Sequence, residues 1–266
     1  MPFYVSDSIR FHYLDIGQGL PFVFQHGLGG DTAQTQSTFL PPLSFRLLTL
    51  ECRGHGETDP GNPHDLSFNR YADDLHTFME RINLQQAVVG GISMGAGVAL
   101  NFAIRYPQQV KALVLVRPAW LDQPLPANLQ VYPRIAALIR QAGAVRGCEL
   151  FKQSEEYQAV LHTHPVTASS LVKQFERPGA LESVDILERL PHDSPASSPE
   201  IWSQVSVPTL VLATDKDPVH PYAYGEVIAR AIPGALLVRI TSKEIDGQQH
   251  SRDIQLAVEQ FLPAWV

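Results

Sequence analysis

Apolar and polar positions alternate from Phe3 to Leu14, the two-residue period of a half-buried strand. The turn Gly17-Gln18-Gly19 follows, and the short apolar run Pro21 to Gln25 stops at His26-Gly27, which predicts a hairpin leading into a buried strand. A second apolar run, Phe45 to Leu50, ends at Glu51-Cys52-Arg53-Gly54-His55-Gly56, a turn whose glycines permit backbone angles that other residues resist. Tyr71, Leu75, Phe78, Met79 and Ile82 then recur at helical spacing, and Gln86 to Val89 reads as a short strand flanked by glycine. Met94 to Tyr106 carries Val98, Phe102 and Tyr106 on one face and is ended by Pro107, after which Ala112 to Val116 is a continuous aliphatic strand.

Strands alternating with helices in this way predict an α/β fold with a mostly parallel central sheet and helices on both faces, because right-handed crossovers place them there. The beat stops after Trp120. Helical pieces follow near Val131 to Ala142 and Cys148 to His162, then the loop-like stretch Pro191 to Pro199. With no clear strand in it, the segment 121–198 is expected to be a helical cap inserted into a core formed by 1–120 and 199–266. The beat resumes with the strand Thr209 to Ala213, a turn through Asp215 and Asp217-Pro218, a helix Tyr222 to Ala231, a strand Ala235 to Ile240 and a closing helix from about Ser251 to Leu262.

A chain of 266 residues, 44% hydrophobic and 18% charged, can bury one sizeable core. Its 20 basic and 27 acidic side chains give a formal charge of -7 without a dense Lys/Arg cluster, so no nucleic-acid partner is expected. Cys52 and Cys148 stand far apart and suit two unpaired thiols in a reducing compartment better than a disulfide framework or a zinc site. Met1 to Arg10 lacks the basic start and apolar run of a secretory signal, and no segment approaches a membrane span. The expectation is a cytoplasmic protein that begins at or near Met1, with no membrane partner; its oligomeric state stays open.

Gly91-Ile92-Ser93-Met94-Gly95 falls between a predicted strand and the helix beginning at Met94. A serine on such a turn is forced up into the ligand crevice, flanking glycines remove side chains that would clash, and the helix N-terminus favours negative charge beside it. Ser93 is therefore the candidate nucleophile. The N–H of Met94 is one candidate oxyanion donor, and the glycine-rich bend His26-Gly27-Leu28-Gly29-Gly30 offers the N–H of Leu28 as a second. His26 itself reads as a structural hydrogen-bonder. For the base, His250 is favoured over His220, His192 and His55, because it follows the last strand by a loop and completes the order serine, acid, histidine. Asp217 is favoured as the acid; Asp215, an aspartate that could bond its own turn, and Asp122 are the alternatives.

Taken together, these residues resemble the α/β-hydrolase superfamily, in particular its capped serine esterase, lactonase and haloperoxidase-like branch. His26-Gly27-Leu28-Gly29 is similar to the family's oxyanion loop, Arg53-Gly54-His55-Gly56 to its Arg-Gly-x-Gly turn, Gly91-Ile92-Ser93-Met94-Gly95 to its nucleophile elbow, and Pro208 to Leu212 with Asp217-Pro218-Val219 to its acid-bearing strand and loop. The family often has Asp at the position of Glu51 and Ser at that of Glu57 or Thr58. Where it commonly has Gly-His and a longer tail, Gln249-His250-Ser251 runs straight into the last helix. The resemblance implies a hydrolase acting on a small ester or lactone through an acyl-serine, with a Ser93, Asp217, His250 triad and no metal or organic cofactor. Carbon-carbon bond hydrolysis, perhydrolysis and a slow or non-catalytic small-molecule receptor are the alternatives. The cap would supply an apolar wall from Trp120, Leu129, Tyr132 and Phe151.

Overall fold

Strands form wherever a short apolar run is bounded by turn residues. The computed structural model describes residues 2–39, 41 and 43–265; Met1, the expected start of the mature chain, lies outside them. The hairpin is β1 (Phe3–Ser6) and β2 (Ile9–Ile16), followed by β3 (Pro21–Gln25), the short helix α1 (Thr32–Thr38) and β4 (Arg46–Leu50). Next come α2 (Phe68–Arg81), β5 (Ala87–Ile92), α3 (Met94–Arg105) and β6 (Val110–Val116). Helices α4 (Val131–Lys152), α5 (Glu155–Thr163), α6 (Pro165–Glu176), α7 (Asp185–Arg189) and α8 (Pro199–Trp202) precede β7 (Thr209–Ala213), α9 (Tyr222–Ala231), β8 (Leu236–Arg239) and α10 (Gly247–Phe261).

The eight strands form one sheet in the order β1-β2-β4-β3-β5-β6-β7-β8. β1 with β2 and β2 with β4 are antiparallel, and every other pairing is parallel. The carboxyl ends of β3, β5, β6 and β7 therefore point the same way, which is where ligands bind in such sheets. Successive residues of a strand serve opposite faces. Val23, Leu48, Val89, Leu113 and Val211 join the cluster built on α2 and α3, whereas Phe22, Phe24, Val88, Val114 and Leu212 join the one containing Ile254 and Val258 of α10. Helices thus cover both faces. Among the described residues no helix is long and apolar enough to cross a membrane.

Several boundaries differ from those read in the sequence. The first two cap pieces run together as α4, which kinks at Gly143 where φ is +75°. The second piece then breaks at Ser154, whose side chain caps α5 by accepting from the N–H of Tyr157. Helix α6 went unread because its buried positions, Ala168, Leu171, Val172 and Phe175, are spaced among serines and threonines. Between β6 and β7 the described residues form no strand, so the chain's longest departure from the sheet is helical.

Candidate active site

Three loops converge at the carboxyl ends of the parallel strands. The first joins β5 to α3 and carries Ser93 at φ +59° and ψ −115°, a conformation that costs an L-residue energy and persists only where the surroundings enforce it. They do so closely. A Cβ on Gly91 would lie 2.2 Å from the carbonyl oxygen of Gly95, and one on Gly95 would lie 2.2 Å from that of Gln25. The N–H of Ser93 donates to the carbonyl of Val116 at 2.9 Å, pinning the turn to β6.

The second loop, Gly27 to Asp31, leaves β3 beside the first. A Cβ on Gly27 would sit 3.4 Å from the Cβ of Ser93. Gln34 accepts the N–H of Gly27 at 2.7 Å, and the N–H of Gly30 closes on the carbonyl of Gly27 at 2.9 Å. His26 is fully buried and engaged at both nitrogens, Nδ1 with the carbonyl of Gly27 at 2.9 Å and Nε2 accepting the N–H of Cys52 at 3.0 Å. Burial lowers its proton affinity and keeps the ring neutral. Glu51 ties this loop to the turn after β4, accepting from Thr32 N–H and Oγ1 at 3.0 Å and from Glu57 N–H at 2.7 Å. Burial would raise its pKa, but these donors hold it below the ordinary glutamate value. Its carboxylate fills the space a Cβ on Gly56 would need, 2.2 Å away.

The third loop follows β7. The N–H groups of Val219 and His220 donate to Asp217 Oδ1 at 3.2 and 3.1 Å, winding the chain into a turn that brings the His220 ring back over its own acid. His220 Nδ1 lies 2.9 Å from Asp217 Oδ1, and Nε2 lies 2.8 Å from Ser93 Oγ. A proton on Nδ1 satisfies the carboxylate and leaves the Nε2 lone pair facing the serine hydroxyl, the tautomer this network assigns. Arg117, the first residue after β6, donates from Nε and Nη2 to Asp217 Oδ2 at 3.0 and 2.5 Å. Burial alone would raise the Asp217 carboxyl, but His220 and Arg117 hold it far below the usual carboxylate range. For His220, burial and the Arg117 charge outweigh the pull of Asp217, so its pKa falls below 6.5 and the ring is neutral at neutral pH.

The structure corrects the histidine assignment. His250 lies in the first turn of α10, where its Nδ1 faces the carbonyl of Thr241 at 2.7 Å and burial lowers its pKa to about 4. His220 occupies the place beside Ser93 because the acid loop coils within three residues, a geometry that chain order does not suggest. Arg117 was missed as well; its signal was a charged residue directly after the unbroken aliphatic run Ala112 to Val116, at the ligand-binding end of the sheet. Asp215 pairs with Arg239 at 2.5 Å instead of bonding its own turn, and Asp122 meets only Gln123 among the described residues.

A cavity of about 500 Å³ opens over Ser93, His220 and Asp217. Its wall is largely polar, including Gln34, Arg117, Lys173, Gln174 and Lys243, where the sequence predicts an apolar one. Of the four expected pocket residues only Tyr132 lines it. Trp120 turns inward to donate to the carbonyl of Leu190 at 3.1 Å and meets Phe68 edge-on, Leu129 is fully buried, and Phe151 packs between Tyr157 and Phe175. Large apolar side chains so near a core gain more by joining it than by facing water. Leu28 lines the cavity and its N–H has no acceptor among the described residues; Met94, as the first residue of α3, has none within its helix.

Residues 21–244 match the family described as alpha/beta hydrolase fold. A putative non-heme chloroperoxidase of Synechocystis sp. is 35% identical over 117 residues, 42% of this chain and 42% of that protein, so the chain matches less than half the length of this relative. The AB hydrolase superfamily protein YisY of Bacillus subtilis is 27% identical over 245 residues, 84% of each chain. Among solved structures, a thermophilic esterase from Thermogutta terrifontis superposes with a TM-score of 0.74 at 26% identity, over 97% of this chain and 95% of that one. The enol-lactonase of Burkholderia xenovorans LB400 does so at 0.77 and 21% identity, over 98% and 100%. With the family match spanning β3 to β8 and all three of these loops, the chain belongs to the alpha/beta hydrolase fold family.

Proposed function

We propose that this protein is a serine hydrolase that cleaves a small carboxylic ester or lactone through an acyl-serine intermediate. The observation that carries the reading is the unbroken relay from Ser93 Oγ through His220 to Asp217 on the floor of the cavity. His220 Nε2 takes the hydroxyl proton as Ser93 Oγ attacks the carbonyl carbon, and Asp217 stabilises the imidazolium that forms. The N–H groups of Leu28 and Met94 serve the oxyanion, and the positive end of α3 adds to them. As the tetrahedral intermediate collapses, His220 returns the proton to the leaving oxygen. Water, deprotonated by the same ring, then attacks the acyl-serine and frees the acid. The helical segment 121–198 acts as a cap that closes the cavity from above. The esterase and enol-lactonase likenesses are consistent with this bond type.

The test combines fluorophosphonate labelling with hydrolysis of a short-chain aryl ester series. Ser93→Ala loses both label and turnover, and His220→Ala loses turnover by about 10³-fold or more. His250→Asn retains most of the activity. Labelling that survives Ser93→Ala, or a His250 variant that fails where His220 variants do not, overturns the assignment. A wild type that binds small ligands but neither labels nor turns over points to a receptor instead.

A further inference from the structure

The cavity wall carries three carboxylates and three cations: Asp31, Asp217 and Glu244 against Arg117, Lys173 and Lys243. Their engagements are unequal. Asp217 and Arg117 neutralise each other. Asp31 caps α1, accepting the N–H of Gln34 at 3.0 Å. Glu244 sits on the start of α6, its two oxygens accepting from Val166 N–H at 3.0 Å, Thr167 N–H at 2.7 Å and Thr167 Oγ1 at 2.8 Å. Every acid at the wall is therefore occupied. Lys173 of α6 and Lys243 of the loop after β8 have neither a hydrogen bond nor an ion pair with any described residue.

We propose that Lys243 and Lys173 bind a carboxylate of the substrate distant from the scissile bond, so that the ester or lactone cleaved here is an anion. This rests on the hydrolase reading of the same cavity. Two ammonium groups with no ion pair among the described residues line the same cavity as the nucleophile, beside an Arg117 whose charge is taken up by Asp217. A ligand that brings negative charge relieves their repulsion; a neutral ester leaves it in place. Lys243 is open to the water of the cavity, yet the surrounding protein and the Arg117 charge lower its ammonium to about 8, as expected of a cation lacking its counter-ion. A carboxylate fits better than a phosphate. The helix N-terminus that could have met phosphate oxygens, that of α6, is closed by Glu244, and no free guanidinium fork faces the cavity among the described residues.

The experiment compares kcat/KM for the monoethyl and diethyl esters of glutarate, one anionic and one neutral with the same scissile bond. Wild type favours the monoester, and Lys243→Met reduces that preference about tenfold, chiefly through KM, as loss of a charge-assisted contact should. Lys243→Arg restores part of it, and adding Lys173→Met lowers it further. Efficient diester hydrolysis that depends on Ser93, with no preference for the monoester and no change of ratio on Lys243→Met, overturns the anion site while the hydrolase reading stands. If neither ester is turned over, calorimetric titration with glutarate separates the two: binding that Lys243→Met abolishes keeps the anion site without the hydrolase, and no binding removes both.

Discussion

Arg117 touches both the acid and the base of the proposed mechanism from one side chain. Its guanidinium neutralises Asp217 and stands 2.9 Å from His220 Nδ1; so close a positive charge opposes the second proton, on Nε2, that would make the ring an imidazolium. In the proposed mechanism His220 must be neutral to accept the serine proton, so activity is expected to fall as pH drops through its pKa. Removing the positive charge makes the imidazolium easier to form and raises that pKa. Arg117→Met is therefore expected to move the acid limb of the kcat/KM profile to higher pH by on the order of one unit. An acid limb that stays in place would show that Arg117 only supports the loop. At this scale Ser93 and Asp217 were legible because each is fixed by its immediate neighbours, a glycine-flanked strand-to-helix turn and an Asp-Pro after a buried strand. His220 and Arg117 were not. Their roles come from side chains meeting across 103 positions of chain at 2.9 Å, and a lone histidine in a turn carries no mark of the direction its ring takes.

The elbow is the element on which the site depends, and its glycines act through space as much as through backbone freedom. Gly95 belongs to α3 with ordinary helical geometry, yet its missing Cβ is what lets α3 press against the carbonyls of Gln25 and His26, 2.2 and 2.6 Å from where that atom would sit. Both neighbours are backbone atoms of β3 and the loop after it, so they cannot rotate away. Gly95→Ala is expected to cost about 3 kcal/mol of stability, or to abolish folding, as overpacking against fixed atoms does. Gly247 in the first turn of α10 has nothing within 4 Å, and Gly247→Ala should be neutral or stabilising by up to about 1 kcal/mol. Urea denaturation of the two variants checks the contrast, and equal midpoints would refute it. The same logic separates readable elements from unreadable ones. β3 and β7 lie where the apolar pattern places them because both their faces are buried and each reads as an unbroken apolar run, and α9 because it has one buried side. Helix α6 has its apolar residues spaced among Ser and Thr, and its first turn is closed by Glu244 from 77 or more residues away, a partner no local pattern can announce.

Across the whole molecule the alternation of strand and helix was enough to foresee a mostly parallel sheet covered on both faces, because chirality and crossover length leave few other solutions. It could not foresee how histidine is used. His26, His55, His220 and His250 are each held below their ordinary pKa of 6.5 by burial first, His250 down to about 4. A histidine whose folded pKa is lowered contributes stability that is present above pH 6.5 and is lost as pH falls, because the unfolded chain takes up protons the folded chain refuses. Each ring that stays neutral costs about 1.4 kcal/mol per pH unit below that point, so several together are comparable with the roughly 5–15 kcal/mol of a typical fold. Asp217 and Glu51, whose pKa values are lowered, act in the same sense but further down: their stabilisation is present above the unfolded values of 3.8 and 4.5 and is lost as pH falls below them. The urea midpoint should therefore drop steeply between about pH 7 and 5, above the range in which Asp217 and Glu51 contribute. His250→Asn, which removes one of the titrating rings, should make that drop shallower by about one proton's worth of slope. A midpoint flat across this range would mean that the buried rings bind protons as readily in the folded chain as in the unfolded one.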